Sequence, residues 1–193
     1  MIDRRPSLRS ISGTAARTVG LVPYRVLAVG ATAGAVESAL SLIGSLPSDF
    51  PLPVALSCER DPDGSDLLLR RLQSAARLPV VEPDDKDDLE PGRVYLAPAG
   101  YHLIIERESV ALSRDPDPAP PSPAPLFESA ADSYGSATAA VLLGTTDSAE
   151  IERALHMVRD RGGLTLRAVA ADRIPALVEE LFSQPGRKAE HGR

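Results

Sequence analysis

Two rhythms of apolar residues alternate along this chain. Short, nearly unbroken apolar runs at Tyr24–Gly30, Pro53–Ser57, Leu78–Val81, Ala139–Leu143 and Leu164–Ala168 read as strands buried on both faces. Between them lie segments with apolar residues at helical spacing. Gly34–Ser45 places Val36, Leu40 and Ile43 on one face. Ser65–Arg77 does the same with Leu68, Leu69, Leu72 and Ala76, and Ser148–Arg161 with Ile151, Leu155 and Val158. Leu126–Tyr134 and Ile174–Phe182 are shorter helical segments, and Gly162-Gly163 stops the helix before them. Strands alternating with helices predict an α/β fold: a doubly wound, mostly parallel sheet with helices on both faces, Rossmann-like in outline.

The middle of the chain breaks this rhythm. Arg93–Ala97, His102–Glu106 and Ser109–Ser113 are short β runs separated by turns, which predict a small β-hairpin or meander inserted in the fold. A proline-rich loop, Asp115–Pro125, follows. The expected organisation is a basic, flexible arm over 1–22, one domain over 23–183 and a polar tail over 184–193.

Composition narrows the classes. A net charge of −6 opposes a nucleic-acid surface. Much of the acid sits in Glu82–Glu90, expected to be a solvated loop. No run reaches the length of a membrane span. The arm carries Arg4, Arg5, Arg9 and Arg17 without the apolar core of a secretory signal. The single cysteine, Cys58, excludes an internal disulfide and fits a reducing cytoplasm. His102, His156 and His191 are scattered and form no metal-binding spacing, and the glycine patterns of dinucleotide and phosphate loops are absent, so neither a metal nor a cofactor is expected.

Candidate chemistry gathers where the first strand ends. Val29-Gly30-Ala31-Thr32-Ala33-Gly34 carries one hydroxyl between two glycines at a strand-to-helix turn, where open α/β sheets place their sites. This turn resembles the opening I-G-A-S-T-G-G of the bacterial chemotaxis protein-glutamate methylesterases, the CheB type. Leu89-Glu90-Pro91-Gly92-Arg93-Val94-Tyr95-Leu96-Ala97-Pro98-Ala99-Gly100-Tyr101-His102-Leu103 resembles that family's L-x-P-G-x-x-Y-x-A-P-x-x-x-H-L run. Pro121-Ser122 with Leu126–Ala130, and Val141–Gly144, resemble two further family segments.

The resemblance implies a methylesterase fold and hydrolysis of glutamate methyl esters on chemoreceptors by a Ser-His-Asp triad. It sets Thr32 at the serine, Glu59 at the histidine and Asp147 at the aspartate. A threonine hydroxyl needs a base to take its proton, and a carboxylate with an ordinary pKa near 4.3 is a poor one. Asp147 fits equally as a helix cap, which is the preferred reading. The family's arginine before P-S falls on Pro120, and about twenty residues after Leu164-Thr165 are expected to be missing.

The expected function is therefore a methylesterase-like domain without activity, serving as a protein-binding or assembly module. A chemoreceptor-like or signalling protein is the expected partner. An active ester hydrolase using Thr32, and a structural or regulatory subunit of a larger signalling complex, are the alternatives. The receiver domain that regulates such esterases is not expected within 1–22, and the pattern fixes no oligomeric state.

Overall fold

The structure, a computed structural model, describes residues 24–59, 67–114 and 122–183. The arm over 1–22, the tail over 184–193 and most of the proline-rich loop lie outside the described residues.

Six strands form one sheet in the order β3-β4-β2-β1-β7-β8, with every pair parallel. They are β1 (Val26–Ala31), β2 (Val54–Cys58), β3 (Val80–Val81), β4 (Val94–Leu96), β7 (Thr138–Leu143) and β8 (Leu164–Ala168). The helices are α1 (Val36–Ser45), α2 (Leu67–Ala75), α3 (Ala124–Tyr134), α4 (Ala149–Asp160) and α5 (Ile174–Ser183). Strands β5 (His102–Ile105) and β6 (Val110–Ser113) pair separately as an antiparallel hairpin. No described helix is long and apolar enough to cross a membrane.

Strand alternation sorts the core into two layers. Leu27 and Val29 of β1 face α1, α2 and α5, while Val26 and Ala28 face α3, α4 and the hairpin. Both layers are needed because a parallel sheet exposes no face to water. The apolar stripe of α1 runs through Ala39, Leu42 and Ile43, which are fully buried, with Val36 and Leu40 at its margin. Packing of α1 against both α2 and α5 rotates the stripe away from the sequence-based register.

One sequence-based expectation is corrected. The run Arg93–Ala97 does not join the hairpin: β4 pairs in parallel with β2 and β3 inside the main sheet. The acidic run is a loop exposed at Asp84–Asp88, as expected, and backbone bonds tie it to the hairpin. Lys86 N donates to Val110 O at 2.8 Å, Val110 N to Asp87 O at 2.9 Å and Leu89 N to Glu108 O at 2.8 Å. The run thus lies along the hairpin as a loop with one antiparallel bridge, Asp88 to Ser109, and Lys86 within it takes a left-handed φ of 71°.

One glycine is dictated by packing. A Cβ built on Gly30 would lie 2.6 Å from Pro123 Cβ and 2.7 Å from Phe127 Cζ. The start of α3 therefore rests directly on the backbone of β1. Gly30→Ala is expected to destabilise the domain by about 1–3 kcal/mol through overpacking. Urea unfolding checks this; an unchanged midpoint would contradict the close approach.

Candidate functional site

Thr32 follows β1 at its carboxyl end, as the sequence predicts. Its backbone N–H donates to Leu143 O at 3.1 Å, and its hydroxyl Oγ1 donates to the same carbonyl at 3.2 Å. Thr32 is 4% exposed. Gly144 closes over it with φ +88°, and a Cβ there would come within 2.3 Å of Thr32 Oγ1. Only glycine fits this left-handed, crowded position. The hydroxyl therefore works as a clasp holding the end of β1 to the end of β7. A peptide carbonyl accepts a hydrogen bond but takes no proton, so it does not activate the oxygen for attack.

Glu59 stands beside this clasp. Its N–H donates to Ala31 O at 2.9 Å, continuing the pairing of β2 with β1. Its carboxylate Oε2 accepts from Ala33 N at 2.9 Å. On a nucleophile elbow, the N–H of the residue after the nucleophile donates to the developing oxyanion. Here that donor is held by the chain's own carboxylate, whose charge opposes a second anion at the same point.

Asp147 is exposed and joined to neither Thr32 nor Glu59 by a hydrogen bond. The expectation that it caps α4 is corrected. Ser148 is the N-cap, and its hydroxyl accepts from Ile151 N at 3.4 Å. The helix begins one residue later than expected, and Thr146 Oγ1 receives Ser148 N at 3.0 Å, fixing the approach. The structure thus brings Thr32 and Glu59 together and leaves Asp147 outside.

Neither described histidine serves Thr32. His102 is buried on β5, with Nδ1 3.2 Å from Ser122 O, and ties the segment before α3 to the hairpin. His156 lies exposed on α4, with Nδ1 2.7 Å from Glu152 O of its own helix. His191 lies outside the described residues. Cys58 is a buried thiol in no disulfide, within the α1 and α2 layer. Among the described residues no group of His, Cys, Asp and Glu could hold a metal ion.

Sequence reading missed Ser57. Its Oγ is buried without a hydrogen-bond partner, on β2 directly opposite Gly30. The available signal was a hydroxyl inside an otherwise apolar strand.

The rim is short on the β8 side. Only Val169 and Ala170 separate β8 from the 3-10 turn Ala171–Arg173 that leads into α5, and Val169 is 66% exposed. Arg167 forks onto Glu152 at 2.8 and 2.6 Å, pinning the first turn of α4 to β8. That hydrogen-bonded guanidinium holds the Glu152 carboxyl below its ordinary pKa. The long run Leu89–Leu103 proves to be scaffold. Tyr95, buried, donates to Asp88 O at 2.7 Å and accepts from Glu90 N at 2.7 Å, and burial pushes its phenol pKa up.

A clasp and a nucleophile respond differently to substitution. Thr32→Val keeps the shape and removes the donor, so it is expected to cost about 0.5–1.5 kcal/mol of stability. Thr32→Ser keeps the hydroxyl and should lose less. Thermal unfolding of the pair checks this; equal melting of Thr32→Val and the wild type would contradict the clasp.

Comparison with known proteins agrees with this architecture. Residues 27–178 match the family model described as CheB methylesterase. The chain is 37% identical over 144 residues to protein-glutamate methylesterase/protein-glutamine glutaminase 2 of Anaeromyxobacter dehalogenans, covering 73% of this chain and 42% of that protein. It is 32% identical over 161 residues to protein-glutamate methylesterase FrzG of Myxococcus xanthus, covering 81% of this chain and 46% of that one. The chain spans less than half the length of these curated relatives. The crystal structure of the Thermotoga maritima CheB methylesterase catalytic domain superposes with a TM-score of 0.68 at 24% identity, over 82% of this chain and 98% of that one. Matching family model and matching fold together carry one conclusion: the chain belongs to the CheB methylesterase family.

Proposed function

We propose that this CheB-family domain does not hydrolyse esters and serves as a protein-binding or assembly module, with the cleft around Thr32 and Ala33 recognising a segment of a signalling protein. One observation carries the reading. The Glu59 carboxylate occupies the Ala33 N–H, while the neighbouring Thr32 hydroxyl is turned onto the Leu143 carbonyl. Loss of one oxyanion-hole donor costs about 10²–10³ in kcat. Loss of the general base costs about 10²–10⁴ more. Neither described histidine compensates. The exposed Ala33 and Gly34 leave the mouth of the cleft open to a partner.

The relatives' names favour a second reading, in which Thr32 attacks a glutamyl ester and Glu59 or Asp147 assists. The two readings separate in one assay. The purified protein and its Thr32→Ala variant are given a methyl-esterified glutamyl peptide and an activated fluorogenic ester. Equal rates at background are the expected result. Turnover by the wild type that vanishes in Thr32→Ala would replace the binding module with a hydrolase.

A further inference from the structure

At the opposite end of the sheet, around the amino ends of β1 and β2, lies a groove with a volume of about 600 Å³. Tyr24, Pro51, Pro53 and Leu89 line it, with Arg25 and Tyr134 beside them. Asp88 and Glu108 stand at its rim, both exposed. The backbone around it is tied down. Leu27 N donates to Pro53 O at 3.0 Å and Arg25 N to Ala137 O at 2.7 Å, while Tyr134 donates its phenol hydrogen to Arg107 O. The groove is thus preformed by the sheet, the end of α3 and the hairpin turn.

Its charges are unbalanced in a specific way. Lys86 pairs with Glu106 at 2.7 Å, and Arg93 with Glu90 at 3.0 Å. Asp88 and Glu108 are in no ion pair among the described residues. Arg25, the cation nearest at hand, places its guanidinium over the Tyr134 ring, 5.9 Å from the centroid, and bridges to neither acid. Two carboxylates without an ion pair among the described residues thus share the groove with proline and tyrosine rings.

We infer that this groove docks an extended, proline-bearing peptide segment of a partner protein, with an arginine or lysine of that segment placed between Asp88 and Glu108. Flat rings with an acidic rim suit the polyproline II conformation, which loses little entropy on binding and stacks its prolines on aromatic walls. The acids supply orientation, since a cation at one end of such a ligand fixes its direction. The surface lies at the strand ends remote from Thr32, so the inference is independent of whether the cleft there binds or hydrolyses.

The test uses the whole chain and a fluorescein-labelled heptapeptide, Arg-Pro-Leu-Pro-Pro-Leu-Pro, read by fluorescence anisotropy. Saturable binding is expected. The double variant Asp88→Lys with Glu108→Lys should weaken it by at least about tenfold. Circular dichroism verifies that the variant is folded. A second peptide with glutamate replacing the arginine should bind the double variant better than the wild type. No saturable binding to the wild type, or equal binding by the double variant, overturns the inference. So does a gain of about tenfold on removing residues 1–23, because a segment of this chain would then be the occupant.

Discussion

The parallel pairing of β1 with β7 is the constraint on which the rest of this molecule depends. It sets Ala31 opposite Leu143, so that both strands end at the same level. From that one register follow the double hydrogen bond from Thr32 to Leu143 and the left-handed turn at Gly144. The pairing of β1 with β2 works in the same way on the other side. It sets Ala31 opposite Cys58 and so delivers Glu59 to the Ala33 N–H. The central strand is buried throughout and carries small residues where α3 approaches, which lets both neighbours and both helix layers close on it. The site is therefore a by-product of sheet register, not of any local motif.

That division explains what the sequence made legible. The order of strands and helices, the turn at Thr32 and the parallel sheet follow from local periodicity, which depends only on residues a few positions apart. The placement of β4 does not. Val94–Leu96 has the length and composition of a hairpin strand, and only its distant partners on β2 and β3 decide its sheet. The cap of α4 falls on Ser148 and not on Asp147 for a different reason: the two are adjacent and of similar capping strength, so local sequence does not separate them. Glu59 could be placed by resemblance at a family position, but its contact with Ala33 spans 26 residues and rests on tertiary geometry. Ser57 was passed over because an isolated hydroxyl in an apolar strand resembles tolerated composition.

The resemblance pointed to the family correctly, and in its longest motif Tyr95 and His102 make contacts that hold the backbone. In Leu89–Leu103 the tyrosine binds the acidic loop, Gly92 and Gly100 hold left-handed turns, and His102 ties down the segment before α3. Each residue solves a problem of backbone placement around β4 and the hairpin. Length of a matching run thus measures shared architecture, while the chemistry of a relative rides on a handful of side chains elsewhere.

The two hydrogen bonds of the turn bear on how such a domain changes over time. The Glu59 carboxylate satisfies the Ala33 N–H, and the Leu143 carbonyl satisfies the Thr32 hydroxyl. Exchanging residue 59 alone for an imidazole hands the exposed Ala33 N–H to water and still leaves the hydroxyl turned away under Gly144. Freeing the hydroxyl alone leaves the carboxylate in place. Each single exchange thus breaks one of these bonds and leaves the other standing. The two pairings support one turn independently, so only a change in both alters the whole of it.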